Sequence, residues 1–122
     1  MGNHEGSILC VEDQPDLCEL LVLVLSSLGY EVVTAQTYAG ALGHCFSQPF
    51  DLYIINSGLP DGQGVDLCAE IRARGLQTPI ILTSGGNDTK EILKAQMVGV
   101  NLILSKPFSL VKLEAEVKRL LS

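Results

Sequence analysis

Five short apolar runs recur along the chain: ILCV at 8–11, EVVT at 31–34, LYII at 52–55, IILT at 80–83 and LIL at 102–104. Four are nearly continuous rather than alternating. That pattern belongs to strands covered on both faces, as in a parallel sheet, although buried helix pieces of the same length share it. Helical periodicity fills the intervals between the runs. After Pro15, Leu17, Leu20, Leu21, Val24 and Leu28 line one face, with Asp16 and Glu19 in the first turn and Gly29 as a stop. Val22, Leu23 and Leu25 add apolar positions outside that stripe, suiting either deeper burial or a partner surface. The segment 37–48 carries Leu42, Cys45 and Phe46, but Gly40 and Gly43 weaken it as a helix. Segment 65–74 groups Leu67, Cys68 and Ile71 and ends at Gly75. Segment 88–98 opens with Asp88 three residues before Glu91, in the spacing of a capping box, and ends at Gly99. In the last segment Leu110, Leu113, Val117, Leu120 and Leu121 share a face, and Glu114 and Lys118 are spaced as an i,i+4 ion pair.

Strand followed by helix, five times over, predicts an α/β fold with a five-stranded parallel sheet, right-handed crossovers and helices on both faces. A length of 122 residues fits one domain. Its expected extent is 8–122, after a disordered or expression-added start at 1–7. The net charge of -6, with eight scattered Lys and Arg, leaves no basic stripe for phosphates, so direct nucleic-acid binding is not expected. No apolar stretch reaches the roughly 18 residues of a membrane span, and the first residues lack signal-peptide features. The expected compartment is the cytoplasm, with no membrane contact. Cys10, Cys18, Cys45 and Cys68 lie in apolar segments without metal-ligand spacing and read as reduced core residues.

In open α/β sheets, sites gather at the carboxyl ends of the strands. Here those ends carry Glu12 and Asp13, then Asn56, then Thr83 and Ser84, then Ser105, Lys106, Pro107 and Phe108. Singly, each has an ordinary explanation: a solvated helix start, a strand residue, an exposed turn. Jointly, two acids, an amide, a hydroxyl and an ammonium on one rim suit a hard divalent cation and the oxygens of a phosphoryl group.

With these motifs, ILCVED at 8–13, DLYIIN at 51–56 followed by Leu59, Pro60 and Gly62, PIILTS at 79–84 and GVNLILSKPF at 99–108, the chain resembles the receiver domain of two-component response regulators. The resemblance runs over 7–122. It implies a flavodoxin-like sheet of order 2-1-3-4-5, Mg2+ held by Glu12, Asp13 and the Gly58 carbonyl, a phosphoryl-contacting hydroxyl at Thr83, and a pairing lysine at Lys106 before a cis Pro107. It also implies a sensor histidine kinase or an output domain as partner, with homodimerisation through 88–122.

Two positions depart from the family. Asn56 stands where the resemblance places the phosphoaccepting aspartate, and Ile103 where it places a switch aromatic. A carboxamide is uncharged and a poor nucleophile, so no phosphoryl transfer to Asn56 is expected and no catalytic residue is assigned. Loss of one charge beside Glu12 and Asp13 also predicts weak Mg2+ binding. The amide can instead donate to Glu12 or Asp13 while its carbonyl accepts from Lys106. Asp61 and Ser57 are low-ranked substitute acceptors, Asp51 is too far along its strand, and deamidation at Asn56 would restore an acid. An ordinary receiver silenced at Asn56 is the alternative. A flavodoxin-like cofactor protein is disfavoured, because EDQPD after the first strand would repel a phosphate. Hydrolase chemistry is disfavoured too, since neither His4 nor His44 is tied to a nucleophile.

Overall fold

The structure, a computed structural model, describes residues 6–86 and 88–122. Its elements run β1 (Ser7–Val11), α1 (Pro15–Ser27), β2 (Glu31–Ala35), α2 (Tyr38–Cys45), β3 (Leu52–Asn56), β4 (Gly58–Leu59), β5 (Gly62–Gln63), α3 (Gly64–Ala73), β6 (Ile80–Ser84), α4 (Thr89–Val98), β7 (Leu102–Ser105) and α5 (Leu110–Leu121). All five apolar runs are strands of one parallel sheet, in the order β2-β1-β3-β6-β7. Without the two-residue strands β4 and β5, which pair only with each other, this is the expected 2-1-3-4-5 order.

Residues 1–5 of the expected disordered start, with His4, lie outside the described residues. Ser7 does not belong to such a start. It opens β1, and its N–H donates to Asp51 Oδ2 at 2.8 Å, while the Gly6 carbonyl accepts from the Glu31 N–H at 2.9 Å. Asp51 thereby anchors the amino edge of the sheet.

Alternation within each strand separates two cores. Leu9, Val11, Tyr53, Ile55, Ile80 and Leu82 point to the side of α2, α3 and α4, where they meet Ala41, Leu67, Ile71 and Ala95. Ile8, Cys10, Leu52, Ile54, Ile81 and Leu104 point to α1 and α5, where they meet Leu21, Leu25, Leu113 and Val117. Each fully buried Leu or Ile contributes about 1.5–3 kcal/mol, so both faces hold the register. All four cysteines are free and buried, Cys10, Cys45 and Cys68 within these layers. Burial pushes the Cys45 thiol up to about 11 and Cys68 up to about 12, which keeps them protonated.

The buried line of α1 differs from the expected stripe. Cys18, Leu21 and Leu25 face the sheet, whereas Leu20 is 41% and Leu23 65% exposed. The sheet selects positions spaced by three and four residues and leaves the rest of this apolar helix to solvent. In α4, Asp88 caps Lys90 and Glu91, but Glu91 does not reach back to complete a capping box. Its carboxylate accepts from the Ser84 hydroxyl at 2.8 Å, tying α4 to the end of β6. On α5 the ion pair is Glu116 with Arg119, 2.6 Å apart, rather than Glu114 with Lys118.

Arg72 joins three elements at the end of the sheet away from the rim. Its guanidinium donates to the carbonyls of Leu76, Thr78 and Gly99 and to Asn101 Oδ1, at 2.8–3.1 Å. Asn101 Oδ1 also accepts from the Ile80 N–H. Replacing a guanidinium that satisfies four neutral acceptors is therefore costly. Arg72→Leu is expected to lower unfolding free energy by about 2–4 kcal/mol in urea titrations, and a loss within the noise of a surface substitution contradicts this account of the network.

Candidate functional site

The β3–β6 ladder sets Asn56 opposite Thr83, and the β6–β7 ladder sets Ser84 opposite Ser105, one residue before Lys106. Glu12 and Asp13 follow β1 next door. The strand ends thus place Glu12, Asp13, Asn56, Thr83 and Lys106 around one rim, with the Gly58 carbonyl beside them.

Asn56 is 7% exposed and satisfied on both sides. Its Nδ2 donates to Asp13 Oδ1 at 3.0 Å and to the Gly58 carbonyl at 2.7 Å, and its Oδ1 accepts from the Thr83 hydroxyl at 3.4 Å. The expectation that the amide would accept from Lys106 is corrected. Lys106 Nζ pairs with Glu12 Oε1 at 3.1 Å, because Glu12 is only 2% exposed and a buried carboxylate left unpaired is far costlier than an amide oxygen. The other Glu12 oxygen accepts from the Gln14 N–H at 3.0 Å. The Lys106–Pro107 bond is cis. Ile103 pairs with Leu82, packs partly buried against the core on the α4 side, and makes no polar contact with the rim.

The loop after Asn56 is held tightly. The Ser57 N–H donates to the Thr83 carbonyl at 2.8 Å, and the Gly64 N–H to the Ser57 carbonyl at 2.7 Å. A Cβ on Gly64 would lie 2.0 Å from the Asn56 carbonyl oxygen, so only glycine fits there. At Gly58 a Cβ would meet nothing within 4 Å. The sequence carried no long-range signal for this fastening, since Gly64 reads simply as one more loop glycine.

The other acids lie elsewhere. Asp51 binds Ser7 at the opposite end of the strand. Asp61 faces α2, accepting from the Tyr38 N–H at 2.7 Å and the Ala39 N–H at 3.0 Å, while Thr37 caps Gly40. This second cap, contributed from a loop 22 and 23 residues away, escaped the sequence reading. It explains how a helix containing two glycines forms.

The backbone donors of Tyr38 and then Ala39 hold the Asp61 carboxyl below its ordinary value of 3.8. A depressed folded-state value means that this stabilisation is complete above about pH 4 and is lost as pH falls through the folded value. Asp61→Ala is expected to be less stable than wild type at neutral pH, with the two stability curves converging as pH falls below the ordinary carboxyl value of 3.8. Parallel curves from pH 6 to pH 3 in chemical denaturation would count against the cap.

A family model described as the response regulator receiver domain matches residues 8–118. The transcriptional regulatory protein KdpE of Mycobacterium tuberculosis is 34% identical over 116 residues, covering 92% of this chain and 51% of the relative. The nisin biosynthesis regulatory protein NisR of Lactococcus lactis subsp. lactis is 33% identical over 116 residues, covering 92% and 50%. The chain spans about half the length of these curated relatives. A two-component response regulator from Clostridium difficile superposes with a TM-score of 0.89 at 33% identity, covering 94% of each chain.

Proposed function

This chain belongs to the response regulator receiver domain family, and from that premise we propose that it acts as a regulatory binding module whose pocket does not accept a phosphoryl group. One observation carries the reading: the residue ending β3 is a carboxamide, and its nitrogen and oxygen are both engaged by pocket partners. Phosphoryl transfer needs a carboxylate oxygen there, free to attack phosphorus. An amide whose lone pair is delocalised and whose oxygen accepts from Thr83 supplies no such group.

Substitute acceptors have little support. Asp61 is committed to the first turn of α2, and Asp51 to the far edge of the sheet. Deamidation requires the Ser57 nitrogen to attack the Asn56 carboxamide, and that N–H is held on the Thr83 carbonyl. Any Mg2+ on Glu12, Asp13 and the Gly58 carbonyl is bound weakly. The domain works by contact rather than by catalysis, in the cytoplasm. Its partner is a sensor histidine kinase or another signalling or output domain. Exposed Leu93 and Met97 on α4 and Val111 on α5 support a homodimer through 88–122. The chain's charge gives no support to direct nucleic-acid binding, although KdpE is named a transcriptional regulatory protein. Among the described residues no helix is long and apolar enough to cross a membrane.

Incubation with Mg2+ and acetyl phosphate, or with a histidine kinase and ATP, is expected to leave the intact mass unchanged. A hydroxylamine-labile phosphoryl adduct on the wild-type chain would overturn the reading. Peptide mapping of that adduct would then name the acceptor.

A further inference from the structure

The oxygens at which this pocket would hold a divalent cation are those of Asp13, Glu12 and the Gly58 carbonyl. As arranged, they do not fit one. Asp13 Oδ1 and the Gly58 carbonyl both accept from the same NH2 group, at 3.0 and 2.7 Å. Both oxygens of Glu12 are already engaged, one by Lys106 and the other by the Gln14 N–H. Mg2+ requires oxygens at about 2.0–2.1 Å in near-octahedral geometry, so it would have to displace the amide. Among the described residues, no group of three or more His, Cys, Asp and Glu could hold a metal.

The orientation of the amide is dictated by its neighbours. Two pure acceptors, a carboxylate and a carbonyl, lie on one side of Asn56, and a hydroxyl able to donate lies on the other. Turning the group over would set its oxygen against both pure acceptors, a loss that the Thr83 hydroxyl, able to donate or accept, does not offset.

We propose that the Asn56 carboxamide is a built-in replacement for the divalent cation. Its two N–H bonds take two of the oxygens that a cation would take, and they draw the β1–α1 turn and the β3–β4 turn together as the ion would. Charge balance supports the same assignment. An aspartate at position 56 would set three carboxylates against the single Lys106, and such a cluster favours a bound dication. With asparagine, of the two carboxylates that would ligate a cation Glu12 is neutralised by Lys106 and Asp13 is open to solvent, while Glu91, further along the pocket, is held on the Ser84 hydroxyl. The inference rests on reading the rim as a receiver pocket, but it concerns the metal alone.

The test is a titration of MgCl2 at constant ionic strength into the wild-type chain and into Asn56→Asp, followed by NMR of the backbone amides of Asp13, Gly58, Thr83 and Lys106. The wild type is expected to show no saturable shift up to about 10 mM, roughly tenfold above the Kd of weak protein sites for hard dications. Asn56→Asp is expected to saturate, with a Kd at least about tenfold lower than any bound set for the wild type. Saturable shifts of Asp13 and Gly58 in the wild type overturn the proposal. If Asn56→Asp does not fold, the wild-type titration decides alone. A wild type that binds Mg2+ yet takes no phosphoryl group removes this inference and leaves the proposed function standing, whereas a phosphorylated wild type removes the proposed function.

Discussion

The parallel ladders of the sheet fix where every polar group of the pocket stands. Tyr53 pairs with Ile80, and three residues later the same register sets Asn56 against Thr83. Ile81 pairs with Leu102, and this carries through to Ser84 against Ser105, so that Lys106 emerges at the same rim. A slip of one residue in β3 would send Asn56 to the opposite face and drive Leu52 and Ile54 into the wrong core. Because both faces are buried, such a slip is opposed by the packing of two helical layers at once. Precision at the rim is thus a by-product of hydrophobic packing in the middle of the strands.

The electrostatics follow from burial. Glu12 is taken out of water at the end of β1, and Lys106, delivered from the end of the edge strand β7 beyond β3 and β6, supplies its counter-charge. Asn56 is neutral and can be buried with three hydrogen bonds and no counterion. Among the described residues, no buried side-chain nitrogen or oxygen is left without a partner. A pocket satisfied in this way supports the proposal that it works without an added ion or phosphate. Its conformation is set by its own side chains, which suits a module recognised in one state.

What was legible in the sequence is what depends on period and local spacing. The near-continuous runs gave the strands, the 3.6-residue stripes gave the helices, and ILCVED, DLYIIN, PIILTS and LSKPF located the rim. What was not legible depends on contacts between distant segments. Leu25 and Leu20 are equally apolar, and only the docked position of α1 puts the first in the core and the second in solvent. The sequence reads Lys106 as a donor to Asn56, and only the burial of Glu12 shows why it pairs there instead. Ser7 reads as the end of a disordered start until Asp51 is placed beside it, and nothing near Asp61 in the chain announces that it caps α2. The hairpin of β4 and β5 is too short and too rich in glycine to show a strand pattern.

The central claim is that an amide nitrogen stands where a cation would otherwise be coordinated. It is tested most directly by a crystal structure at about 1.2 Å or better, the range in which hydrogens begin to be seen, from crystals grown in Mg2+. The account predicts Asn56 Nδ2 bridging Asp13 and the Gly58 carbonyl at hydrogen-bond distances, with Lys106 on Glu12. An octahedral ion about 2.1 Å from Asp13 and Gly58, with the Asn56 amide turned to present its oxygen, would contradict it.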